Sequence, residues 1–391
     1  MTLKKNIPFA RVPICGNELK YVKEVLDSGW LTTSSKALKF EQLFTYFVGA
    51  KYACAVNSCT SALHLAIEAI GIKPGDRVLV PSLTFTASAE VLRYVGADPV
   101  FIDVEYRTGL VSPSIIKSAI KTNPAVKALI LVHYGGQAPV MTTADGEGIV
   151  DICRKNNIRI IEDAAHAFPA KFENRFIGSF GDVTCFSFYA NKTITTGEGG
   201  MLVTDDENIY KRAKTMRLHG INRDIWERFT SNKSSWEYDV IAPGFKYNMP
   251  DINAAIGLAQ LEKAVYFRDQ RQRCASYYLH ELENIQVIDL PVCMSPIENH
   301  SWHLFPIIIK PDSPVSRNEF IQLMANEGIG TSVHYKPLHR MTYYMETYDL
   351  SPEDFPNTEK IWNGTVSLPI YPGLKDYELK YICQSIKRIL K

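Results

Sequence analysis

In the run FSFYANKTITTGEGG, residues 186–200, an apolar stretch gives way to Lys192 and then to threonines and closely spaced glycines. An amine at such a strand exit can condense with a carbonyl or, once neutral, take a proton from carbon. At the ordinary lysine pKa of ~10.4 it is a poor base near neutral pH, so this chemistry needs a desolvated site close to other positive charge. Two further runs offer complementary groups. IRIIEDAAHA, residues 158–167, places Asp163 at the end of an apolar strand with His166 three residues on. NSCTSALHLA, residues 57–66, opens a helix with Ser58, Cys59 and Thr60 directly after another strand. A helix amino terminus binds anions through its free N–H groups. Taken singly, each group has an ordinary reading: an aspartate after a strand is a turn residue, a lysine a solvated charge, a serine or threonine a helix cap.

These groups act together only if the fold brings them to one edge. KYACAVN (51–57), DRVLVPS (76–82), DPVFIDV (98–104), KALILVHY (127–134), IRIIEDAA (158–165) and VTCFSFY (183–189) read as short apolar strands, and helical segments such as SALHLAIEAIG (61–71) separate them. That alternation predicts an α/β fold, with a largely parallel sheet covered by helices on both faces. Ligands of such sheets gather beyond the carboxyl ends of the strands. One long amphipathic helix is expected over 250–282, followed by the strand WHLFPIIIK (302–310), a helix near SRNEFIQLMANEG and a last helix at DYELKYICQSIKRIL. The expected division is a large α/β/α domain over residues 1–260 and a small carboxyl-terminal α+β domain over 261–391. The long polar stretch 220–243 reads as a surface excursion. An amine, a carboxylate and a helix amino terminus facing one crevice match the needs of pyridoxal 5'-phosphate, which requires an amine for its aldehyde, an acid for its ring nitrogen and an anion site for its phosphate.

Composition narrows the partners. A formal net charge of +1 over 391 residues gives no electrostatic reason to expect a nucleic acid or a membrane surface. The amino end, MTLKKNIPFARVPICGN, has no apolar core of signal-peptide length behind its two lysines, and runs such as VKALILVHY are far too short to span a bilayer, so a cytoplasmic protein is expected. The eight cysteines show no CxxC pair or metal-like spacing, which points to reduced, mostly buried thiols and no metal site.

The runs SGWLTTSSKALKFEQLF, NSCTSALHLA, PSLTFTASAEVLRYVGADPVFIDV, IEDAAHA, FSFYANKTITTGEGG, PGFKYNMPDINAAIGLAQL, GIGTSVHYKPLH and SLPIYPGL occur in order from residue 28 to 374. They resemble the successive signatures of the DegT/StrS-type sugar aminotransferases, pyridoxal-phosphate enzymes of fold type I. The GFKYNM run and the 220–243 excursion are most similar to the nucleotide-sugar C4 aminotransferases, those making UDP-4-amino-4-deoxy-L-arabinose among them. Two departures stand out: Ser34-Ser35 where the family often has Gly-Pro, and Phe85 where it often has Trp.

The resemblance implies roles residue by residue. Lys192 would carry the cofactor aldehyde and then act as the proton-transferring base, while Asp163 would pair with the ring nitrogen. His166 would lie close to the ring, although a structural histidine is an equal reading of the residue itself. Phe85 would stack on the ring, Cys59, Thr60 and Ser187 would hold the phosphate, and Asn248 would reach that phosphate from the neighbouring subunit of a homodimer with shared sites. Trp30, Thr33, His334 and Tyr335 would border the sugar. Glycines 197, 199 and 200 would let the backbone approach the cofactor or simply make a tight turn. The implied reaction moves an amino group from an amino acid, glutamate by family expectation, to a nucleotide-linked keto sugar, at C4, for a surface polysaccharide or related glycoconjugate. The alternatives are a 3-keto nucleotide sugar or scyllo-inosose as acceptor and, in another class, a non-catalytic regulatory or binding protein on the same fold. Sugar dehydratases of this fold carry histidine in place of the lysine, which counts against that activity here.

Overall fold

The structure, a computed structural model, describes residues 6–222 and 238–391. Seven strands form the main sheet: β1 (Tyr52–Val56), β2 (Arg77–Pro81), β3 (Asp98–Ile102), β4 (Val126–Val132), β5 (Arg159–Asp163), β8 (Val183–Ser187) and β9 (Gly200–Thr204). Between β5 and β8 a two-stranded ribbon pairs β6 (Lys171–Phe172) with β7 (Arg175–Phe176). The order across the main sheet is β1-β9-β8-β5-β4-β2-β3. Five neighbours, from β3 across to β8, run parallel, whereas β9 is antiparallel to both β8 and β1. No helix lies between β8 and β9. A parallel return would have needed such a crossover. The carboxyl ends of β1, β5 and β8 therefore meet the amino end of β9 at one edge.

The strands are largely apolar because both faces are covered. Leu79, Leu129, Leu131 and Ile160 join one buried cluster, and their sequence neighbours Val78, Val80, Ala128, Ile130 and Ile161 join another. This is the period-two alternation of a sheet packed on both sides. A third cluster surrounds a smaller antiparallel sheet of β10 (Ile288–Asp289), β11 (Phe305–Ile309) and β12 (Thr365–Leu368), and includes Tyr278, Trp302, Phe320 and Ile382.

The single helix expected over 250–282 is two helices, Asp251–Leu261 and Ala264–Leu282. Lys263 leaves helical geometry, with φ −115° and ψ 9°. The reason is anchoring: Glu262 accepts hydrogen bonds from Asn17 and Tyr21, and Lys263 pairs with Glu18, so the junction is held against the helix Glu18–Ser28. Most of the expected 220–243 excursion, residues 223–237, lies outside the described residues. All eight cysteines are free, and five of them are buried. No helix among the described residues is long and apolar enough to cross a membrane.

Candidate active site

A cavity of about 390 Å³ opens at the edge where β1, β5 and β8 end, and Cys59, Thr60, Asp163, Ser187 and Lys192 all line it. Phe85, His166, His334 and Tyr335 complete the part of its wall that the sequence pointed to. A larger hollow of about 650 Å³ beside Lys310, Arg317 and Lys360 has no carboxylate among its lining residues.

Lys192 sits in the turn after β8, its N–H bonded to the Tyr189 carbonyl at 3.0 Å. The residue is half-buried. Desolvation of the amine is the main reason its pKa falls to about 8; Cys59 and Asp163 oppose the fall and the Arg271 cation adds to it. Its Nζ lies 3.5 Å from Nε2 of His303, a histidine in the WHLF run that nothing in the local pattern marks as functional. His303 is itself buried, which pushes its pKa well below the usual range.

Asp163 projects from the last position of β5 and is 6% exposed. Its Oδ2 accepts from the Ser88 hydroxyl at 2.7 Å and its Oδ1 from the Ala165 N–H at 3.2 Å, while Ser88 also meets the Thr84 hydroxyl at 2.8 Å. Ser88 and Thr84 come from the PSLTFTASA run, where Phe85 alone drew notice. The neighbouring Glu162 points away to the fully buried His133, 2.8 Å from its Nε2, and accepts from Gly181 N–H and the Thr184 hydroxyl. Burial pushes this carboxyl up, but those hydrogen bonds outweigh it and leave the pKa below the ordinary value. The His133 N–H in turn donates to the Asp163 carbonyl at 3.1 Å, stiffening the edge on which Asp163 stands.

The anion corner is the start of the helix Cys59–Ala69. Ser58 accepts from the Ser61 N–H at 3.0 Å and so caps the helix. The N–H groups of Cys59 and Thr60 belong to the first turn, where no intrahelical acceptor exists. Burial lifts the Cys59 thiol far above its usual pKa, so its backbone N–H is the useful group. The glycines behind this corner serve the protein's own backbone. Gly197, at φ +81°, makes the turn. Gly200 allows close approach, because a Cβ there would lie 2.5 Å from the Ser58 carbonyl carbon and 2.6 Å from the Cys59 nitrogen.

Elsewhere in the lining the His166 Nδ1 accepts from the Gly135 N–H at 3.3 Å, and its Nε2 meets the Tyr335 hydroxyl at 2.9 Å. Burial drives His166 well below its usual pKa, so the ring is neutral. With Nδ1 accepting, the ring hydrogen is assigned to Nε2 and is donated to the Tyr335 oxygen. The phenolic hydrogen of Tyr335 is then free to point into the cavity. Burial also raises Tyr335, which keeps that hydrogen in place. His334 is pushed down to about 4 by burial and bonds Ser367 through Nδ1 at 2.9 Å.

Phe85 is 57% exposed, with its ring centroid 5.9 Å from that of Tyr335, so it stands at the cavity mouth and not in the core. Trp30, Thr33 and Asn248 are not part of the lining. Asn248 instead donates to Thr33 at 2.6 Å and accepts from Lys246 at 2.6 Å, and Thr33 donates to the Met249 carbonyl. A desolvated amine, a carboxylate and free helix N–H groups in one cavity are a donor set that fits pyridoxal phosphate.

Residues 14–387 match the model of the DegT/DnrJ/EryC1/StrS aminotransferase family. The chain is 39% identical to the spore coat polysaccharide biosynthesis protein SpsC of Bacillus subtilis over 395 residues, covering 100% of this chain and 99% of that protein. Among solved structures it is similar to Helicobacter pylori PseC, an aminotransferase involved in the biosynthesis of pseudoaminic acid, with a TM-score of 0.89, 26% identity and 99% of each chain covered. It is likewise similar to Spr1654 from Streptococcus pneumoniae in its PMP form, at a TM-score of 0.89 and 30% identity over 98% of this chain and 99% of that one.

Proposed function

The chain belongs to the DegT/DnrJ/EryC1/StrS aminotransferase family, and from that membership we propose that its acceptor is a 4-keto sugar carried on a nucleotide and its donor glutamate. It is a pyridoxal-phosphate-dependent sugar aminotransferase of fold type I. The observation that carries the reading is the single cavity in which Lys192, Asp163 and the start of the helix Cys59–Ala69 meet. The choice of C4 is supported by the GFKYNMPDINAAI run, and an amino sugar for a surface polysaccharide or glycoconjugate is supported by the roles named for SpsC and PseC.

When bound, pyridoxal phosphate supplies an aldehyde that exchanges one amine for another and a ring that draws electrons from the carbon losing its proton. Lys192 would hold that aldehyde and, as a neutral amine, move the proton at the reacting carbon. Asp163 would face the ring nitrogen, with Ser88 fixing its carboxylate. The N–H groups of Cys59 and Thr60 and the Ser187 hydroxyl would receive the phosphate, and Phe85 would cover a ring face. Burial keeps His166 and His334 neutral near pH 7, so the proton at the reacting carbon is left to Lys192. His334 and Tyr335 would bind the sugar. We place Trp30, Thr33 and Asn248 at a site shared between the subunits of a homodimer, Asn248 reaching the partner's phosphate corner.

The test is a single turnover. Enzyme loaded with its amine from glutamate is mixed in turn with a 4-keto nucleotide sugar, a 3-keto nucleotide sugar and an inosose, and the return of the yellow form is timed. The 4-keto compound should restore it fastest. Return with only a 3-keto sugar or an inosose removes the acceptor assignment and leaves the aminotransferase standing.

A further inference from the structure

Arg271 is a buried cation that the chemistry above does not use. It lies on the helix Ala264–Leu282 and is 2% exposed. Its hydrogen bonds go to backbone carbonyls: Nη1 to those of Trp302 at 3.3 Å, His303 at 3.3 Å and Ile370 at 2.8 Å, and Nη2 to that of Asn191 at 3.4 Å. Its Nε has no hydrogen-bond partner among the described residues. A guanidinium balanced only by carbonyl dipoles is costly, and a well-packed apolar side chain at such a position is often neutral or better for stability.

The identity of those carbonyls suggests what the cost serves. Asn191 precedes Lys192 in the turn, and His303 carries the imidazole that lies 3.5 Å from the Lys192 amine. We infer that Arg271 is a positioning residue for the reactive amine: its fork ties the Lys192 turn to the His303 segment, and its charge stands uncompensated behind both. This rests on the reading of Lys192 as the cofactor-bearing amine. Burial lowers Arg271 itself to about 10, so it remains a cation at neutral pH. The groups facing Lys192 from the other elements are Asp163 at the end of β5 and Cys59 at the helix start, which both favour the ammonium, and the buried, neutral His166, His303 and His334. Among the described residues Arg271 is the cation whose charge acts on Lys192 against that of Asp163.

The reactivity of Lys192 reads this directly. The full chain, freed of pyridoxal phosphate, is treated with trinitrobenzenesulfonate from neutral to alkaline pH, and the label on Lys192 is counted by peptide mapping. In the unchanged protein the label should appear with a midpoint near 8. Arg271→Gln removes the charge, so the midpoint should rise and labelling at pH 7 should fall roughly three- to tenfold, the size of a like charge at short range in a partly polar interior. Arg271→Lys removes the fork, so its affinity for pyridoxal phosphate should weaken. An Arg271→Gln midpoint equal to the unchanged one overturns the inference. If that variant does not fold, the Arg271→Lys affinity and the native midpoint decide: unchanged affinity, or a native midpoint near the ordinary lysine value of 10.5, overturns it equally. Failure of the underlying reading looks different, because borohydride reduction of the loaded enzyme would then mark a lysine other than Lys192.

Discussion

Replacing Tyr335 by Phe tests the hydrogen-bond logic of the His166–Tyr335 pair. The hydroxyl lies 2.9 Å from His166 Nε2, and the Gly135 N–H already occupies Nδ1. The tautomer is thereby set, and two things are lost in Tyr335→Phe. The His166 N–H loses its acceptor inside the protein, and the cavity loses the phenolic hydrogen that points at the sugar. A buried donor left without a partner costs ~1–3 kcal/mol, or roughly 5- to 150-fold in an equilibrium or rate constant. Because the phenol faces the sugar in our reading, the loss should fall on the sugar half-reaction, about 10- to 100-fold in kcat/KM, with the amino-acid half-reaction changed much less. Single-turnover kinetics of the two halves give the ratio, and long-range proton–nitrogen correlation spectra of the unchanged protein give the tautomer. An unprotonated Nε2 in His166 refutes the reasoning, and so does an equal loss in both halves.

The pH dependence of the proton-transfer step follows from Lys192. Its pKa is lowered from 10.5 to about 8, so the amine loses its proton earlier as pH rises: about a tenth is neutral at pH 7 against roughly 0.03% for an ordinary lysine, a gain of about 300-fold. The single-turnover rate should climb up to about pH 8 and then level, and a rate still rising tenfold per unit beyond pH 9 contradicts it. Ser88→Ala removes the 2.7 Å bond to the buried Asp163 carboxylate and should cost ~1.5–3 kcal/mol, read as weaker pyridoxal phosphate binding or lower thermal stability; no change in either shows that Ser88 does not hold Asp163. Mixing a Lys192→Ala chain with an Asn248→Asp chain should restore activity through one intact composite site per heterodimer. Absence of recovery after demonstrated subunit exchange, with both parents inactive, argues against the shared site.

Much of the site was legible because burial on both faces leaves a local mark. A strand covered on two sides is mostly apolar along its length, so its exit is visible where polar residues gather, and Asp163, Ser187 and Lys192 stand at such exits. The helix start at Cys59 and Thr60 is equally local. Tertiary structure alone decided the rest. The antiparallel run of β9 depends on which neighbour it pairs with, and the break at Glu262 and Lys263 on contacts with Asn17, Tyr21 and Glu18 far earlier in the chain. Ser88 beneath Asp163, His303 beside Lys192 and Arg271 behind both leave no periodic signal, since each meets its partner across a long separation in sequence. Periodicity reports which face of an element is buried; the chain's path through space determines which buried groups then touch.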